Sequence, residues 1–149
     1  MRLLTAAQVI DLATRLEEES SGFYACLAKA CSDHGDLFQS YSRQNSKHAK
    51  QIEEAYRYAV SDALETGFSF DLEEDDYALD SDMAESARFA ARIAQAKDIE
   101  EVSVRFFREA ARQSESLMAD IHGLFRALAK KRARRLSELA GLEQEAAAR

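Results

Sequence analysis

The sequence predicts an all-α protein, a four-helix bundle formed by one domain over residues 1–149. Three observations carry that expectation. There is no proline and there are only five glycines, so almost nothing interrupts a helix, and Ala, Leu, Glu and Arg are abundant. Apolar residues recur at spacings of three and four in four separate stretches, the period of a helix face. The chain of 149 residues, 46% hydrophobic and 32% charged, suits a single core and is too apolar for a disordered chain.

The first helix is expected over about residues 5–32. Thr5 and Gln8 form a capping-box pattern, and Val9, Ala13, Leu16, Ser20, Phe23, Leu27 and Ala30 make its buried seam. A turn at Asp33, His34 and Gly35 leads into a second helix over about 36–63, with the seam Phe38, Tyr41, Asn45, His48, Ile52, Ala55 and Ala59. So short a turn makes the two helices antiparallel neighbours.

Gly67, the alternation of Phe68 and Phe70, and the acidic run Glu73 to Asp76 break the helical period, so about 64–81 reads as a long surface crossover. Ser81 or Asp82 is a candidate cap for a third helix over about 82–113, divided or kinked before Lys97. Its seam is Phe89, Ile93, Ala96, Glu100, Ser103, Phe107 and Ala110. Ser114 is expected to cap the fourth helix, about 115–142, with rows of Leu117, Ile121, Leu124 and Leu128 and of Met118, His122, Phe125 and Ala129, and a frayed tail. Two antiparallel pairs joined by one long connection is the expected arrangement, with a simple up-and-down bundle as its alternative.

The net charge of −7 argues against nucleic-acid and anionic-membrane partners, which bind through clustered cations. The basic run Lys130 to Arg135 is read as a solvated helix surface. No stretch approaches the roughly 20 apolar residues of a membrane span, and Gln8 and Asp11 interrupt any signal-peptide core, so a cytoplasmic location is expected. Cys26 and Cys31 lie five apart on one expected helix, pointing apart, and read as reduced thiols.

Polar residues interrupt or flank the apolar seams on all four helices. Counting along the helices, Glu17 and His48 each lie about 16–21 Å from the first turn. Glu100 lies about 21 Å before Ser114 and His122 about 12 Å after it, so each of the four helices is expected to bring one acid or imidazole to a comparable level. A buried carboxylate without a partner is costly, which implies mutual pairing or a bound cation. The two halves also repeat: Leu16, Glu17, Glu18, Ser20, Phe23, Tyr24 and Ala28 align without gaps to Ile99, Glu100, Glu101, Ser103, Phe106, Phe107 and Ala111.

With Glu17 ahead of Tyr24 in a Phe-Tyr helix, and Glu100 likewise ahead of Phe107, the sequence resembles the rubrerythrin group of the ferritin superfamily over about residues 8–140. The resemblance implies a ferritin-like bundle, a homodimer and an iron site serving oxygen- or peroxide-linked oxidoreduction. In that family two helices each give one Glu and the other two each give a Glu-x-x-His pair. Here those pairs read Asn45-Ser46-Lys47-His48 and Ala119-Asp120-Ile121-His122, so both bridging glutamates are replaced. The sequence has no Cys-x-x-Cys pair of a rubredoxin-like iron domain, and no electron donor is identified.

Two carboxylates neutralise one divalent ion and not two. The expected remnant is therefore one Fe²⁺, Mn²⁺ or Zn²⁺ per chain on Glu17, His48, Glu100 and His122, with Tyr24 and Asn45 beside them, Ala119 at a lost-ligand position, and weak or lost di-iron chemistry. The alternative is a metal-free, non-catalytic assembly or binding module. In it each Glu is neutralised by an imidazolium, and Asn45, Ser20, Ser103 and Tyr24 complete the hydrogen bonds. Phe107 at the position matching Tyr24 lacks a hydroxyl, so the first half is expected to be the more polar.

Overall fold

The computed structural model describes residues 1–62, 70–83, 87–115 and 119–148, with backbone alone over 59–62. Four long helices dominate it: α1 (Ala6–Ala30), α2 (Gly35–Asp62), α3 (Phe89–Ser114) and α4 (Ala119–Ala148). Thr5 caps α1 as its sequence predicts, its hydroxyl accepting from the Gln8 amide while the Gln8 side chain accepts from the Thr5 amide. A short 3₁₀ turn, Ser32–His34, joins α1 to α2.

Cross-helix contacts fix the directions. Glu17 meets His48 while Ser21 meets Ser42, so α1 and α2 are antiparallel. Glu100 meets Arg132 while Ala111 meets His122, so α3 and α4 are antiparallel as well. Arg92 reaches the Ala30 carbonyl while Tyr24 reaches Glu100, which sets α1 against α3. It follows that α2 and α3 run the same way, and the chain between them must travel the length of the bundle. That is the overhand arrangement, and it excludes the simple up-and-down one.

The described part of this crossover lies on its own bundle. A two-residue strand β1 (Arg2–Leu3) pairs antiparallel with β2 (Leu72–Glu73), followed by a 3₁₀ turn at Glu74–Tyr77. Phe70, Leu72 and Tyr77 are buried, Tyr77 edge-on to Phe106 at 5.3 Å. Arg15 on α1 holds Glu74 at 2.7 Å. Gly67 and Phe68 of the expected crossover, Leu117 and Met118 of the expected fourth helix, and the Ala59 side chain lie outside the described residues.

Three boundaries differ from expectation. The third helix starts at Phe89 rather than near residue 82 and is continuous through Lys97, and Ser81 and Asp82 do not cap it. Gln95 reaches back toward the preceding segment, its amide donating to the Asp80 and Asp82 carbonyls at 2.8 and 2.9 Å. Ser114 ends α3 rather than capping α4, its hydroxyl bonding the Ala111 carbonyl. The tail is helical to Ala148, docked by Leu142 and by a Lys97–Glu143 ion pair of 3.2 Å.

Two apolar clusters fill the bundle. One gathers Leu12, Leu16, Ile52, Phe106, Phe107 and Phe125, and the other Phe23, Leu27, Phe38, Ile93, Ile99 and Leu139. Between them lies a layer of buried polar side chains. No helix among the described residues is long and apolar enough to cross a membrane.

Candidate functional site

The polar layer is built by all four helices. Glu17 and Ser20 come from α1, Asn45 and His48 from α2, Glu100 and Ser103 from α3, and Arg132 and Arg135 from α4, every one of them buried. Arg132 stands at its centre, with no solvent exposure. Its Nη1 donates to Glu100 Oε2 at 2.9 Å, and its Nε lies 3.5 Å from Glu17 Oε1. Its Nη2 donates to both repeat-related serines, Ser20 at 2.6 Å and Ser103 at 2.8 Å. Each serine in turn donates to the carbonyl four residues back, Leu16 or Ile99. The internal repeat thus produces two matching acceptors for a single guanidinium.

The carboxylates are held differently, and the Tyr24 hydroxyl of the first half serves the acid of the second. Glu100 Oε2 also accepts from the Tyr24 hydroxyl at 2.6 Å. Glu17 Oε2 accepts from Asn45 Nδ2 at 2.5 Å and lies 3.3 Å from His48 Nδ1. Arg135 seals the edge of the layer. It donates to Asn45 Oδ1 at 2.9 Å and to the Tyr41 carbonyl at 3.1 Å, and lies 3.7 Å from Glu100. Its guanidinium sits 4.5 Å from the Tyr41 ring centroid and 5.5 Å from that of Tyr24, a cation–π sandwich edge. The Tyr41 hydroxyl donates to Glu138.

Two buried carboxylates therefore face two buried guanidiniums, a charge-balanced layer in a low-dielectric interior. Burial works to raise the Glu17 carboxyl, but Arg132, His48 and Asn45 overcome it and hold the group below its ordinary value of 4.5. Burial likewise opposes the charge on Arg132, and Glu100 and Glu17 outweigh it, raising its pKa. Burial and the neighbouring Glu100 push the Tyr24 phenol well up, so it acts as a donor only.

Because the folded value for Glu17 is depressed, its contribution to stability is present above 4.5 and is lost as pH falls through the lower folded value. Urea unfolding of the wild type should hold steady from about pH 7 to about pH 5 and weaken at more acid pH. A Glu17→Gln variant should show a shallower acid limb. An acid limb of the same depth in both proteins would exclude Glu17 as its source.

Of the four residues expected to converge, Glu17, His48 and Glu100 reach this layer and His122 does not. His122 is half-buried near the start of α4, its Nδ1 2.7 Å from the Ala111 carbonyl, in the wall of a surface groove. Arg132, ten residues further along α4, or about 15 Å, takes the level assigned to it. Asn45 and Tyr24 are in the layer, and Ala119 is exposed at the first residue of α4. The reading of Lys130 to Arg135 as a solvated surface is corrected at Arg132 and Arg135, both buried, and stands at Lys130, Lys131 and Arg134, all exposed.

Among the described residues no three His, Cys, Asp or Glu side chains gather into a metal-holding group. Comparisons with protein-family models, with curated proteins and with solved structures found no match to this chain.

Proposed function

We propose that this chain is a ferritin-like bundle of rubrerythrin type in which guanidinium groups stand where a metal would, and that it serves as a non-catalytic, metal-free assembly or binding module. The observation that carries this reading is the placement of the Arg132 side chain between Glu17 and Glu100.

A metal site needs carboxylates whose negative charge is available to the ion. Here both carboxylates are matched by Arg132 and Arg135, and His48 adds a single imidazole of ligand type. A divalent ion would bring two more positive charges beside a guanidinium that cannot deprotonate. The residues do not fit a divalent metal. The repeat, the four-helix level of the polar layer and the overhand crossover support the family resemblance.

The test is metal content and metal titration. Protein purified without chelator and exchanged into clean buffer should carry far less than one equivalent of Fe, Mn or Zn, and calorimetric titration with each ion should show no saturable heat at this layer. One equivalent of tightly held metal that disappears in Glu17→Ala or Glu100→Ala would overturn the proposal in favour of the iron-class remnant site.

A further inference from the structure

A second polar feature lies outside the buried layer. α3 and α4 leave an open groove between them, about 670 Å³, lined by Arg108, Arg112, Arg126, Lys130 and His122 with Glu115 at its rim. Its floor is Ala111, Ala129 and Ala133. Small side chains on the floor let a ligand come close to both helices, while the long basic chains form its walls. On α3, Arg108 and Arg112 are one turn apart; on α4, Arg126 and Lys130 are also one turn apart, so the walls present cations in two facing rows.

Four full cations facing one carboxylate is unexpected on a chain with a net charge of −7. Arg112 is partly neutralised by Glu109 on its own helix. Arg108, Arg126 and Lys130 have no carboxylate partner among the described residues. Self-repulsion of this kind costs stability and is relieved by an anion lying between the rows. At the end of the groove His122 is oriented: a carbonyl only accepts, so the hydrogen bond to Ala111 places a proton on Nδ1.

We propose that this groove binds a small, multiply phosphorylated anion without an aromatic group. The cation rows match several phosphate groups, with the planar guanidiniums giving paired hydrogen bonds to phosphate oxygens. Among the described residues no Phe, Tyr or Trp lines the groove, so the His122 imidazole at its end is the one aromatic surface offered to a nucleobase. The volume falls in the range of small-ligand sites, roughly 300–1,000 Å³.

The probe is inorganic tripolyphosphate, titrated calorimetrically at low and at moderate salt. Saturable one-to-one binding is expected, weakening as salt rises. Arg108→Glu with Arg126→Glu should weaken it by about tenfold or more, since two charge-assisted contacts are reversed. Both positions are exposed, so the melting temperature of this variant should stay near that of the wild type. Arg43→Glu with Lys50→Glu on α2 changes net charge equally, lies outside the groove and should leave the affinity unchanged. ATP should bind no tighter than tripolyphosphate. The proposal is overturned by absence of saturable binding, by an equal loss in the α2 variant, or by markedly tighter binding of ATP or of duplex DNA.

Discussion

Replacing Arg132 with Met should lower the unfolding free energy by about 3–5 kcal/mol, because it leaves two buried carboxylates with one remaining buried guanidinium at 3.7 Å from one of them. The Met side chain fills much of the volume of the arginine stem, so the loss comes from charge rather than from a cavity. Ser20 and Ser103 also lose the donor they share. Neutralising the acids at the same time separates these effects. In the triple variant Glu17→Gln, Glu100→Gln and Arg132→Met, most of the lost stability should return, as replacing a whole buried ion cluster is often neutral. Chemical denaturation of the single and triple variants measures both, and an Arg132→Met loss below about 1 kcal/mol would refute the central role given to this side chain.

The helical content, the antiparallel hairpins and the long crossover were legible because they depend on periodicity and on the few breaks in it. The Thr5 and Gln8 cap was legible because a capping box is wholly local. The start of α3 was not. Ser81 and Asp82 have capping chemistry, but the Asp80 and Asp82 carbonyls are taken up by the Gln95 side chain of α3, a tertiary contact that no local pattern reveals.

The polar layer was half legible. Asn45, His48, Glu100, Ser20 and Ser103 stand in apolar seams and Glu17 stands beside one, and a polar residue so placed is a strong signal of burial with a partner. His122 falls short of the layer because about 12 Å after Ser114 and about 21 Å before it are not the same level. In a hairpin, partners are mirrored through the turn. Glu17 and His48 mirror through the first turn, and Ala111 and His122 mirror through a point near residue 116. Glu100 mirrored through the same point falls on Arg132. The seam of α4 carries the same information, since Ile121, Phe125, Leu128, Arg132, Arg135 and Leu139 alternate spacings of four and three, and all are buried. A cluster of six basic-rich positions hides this, because burial of arginine is rare enough to be discounted.

Glu100→Ala is the complementary disruption and should cost about as much as Arg132→Met, on the order of 3–5 kcal/mol, since it leaves a buried guanidinium with an unsatisfied charge. The Tyr24 hydroxyl loses its acceptor at the same time, deep in an apolar cluster. Glu17 would remain beside Arg132, but its Nε contact at 3.5 Å is longer than the bond that Glu100 supplies at 2.9 Å, so it compensates only in part. The double variant Glu100→Ala with Arg132→Met decides whether the two residues act as one unit. If they do, its loss should fall short of the sum of the single losses by about 2 kcal/mol or more. Additive losses would mean that each side chain is held by the rest of the layer independently, and the picture of one guanidinium joining the two halves of the repeat would fail.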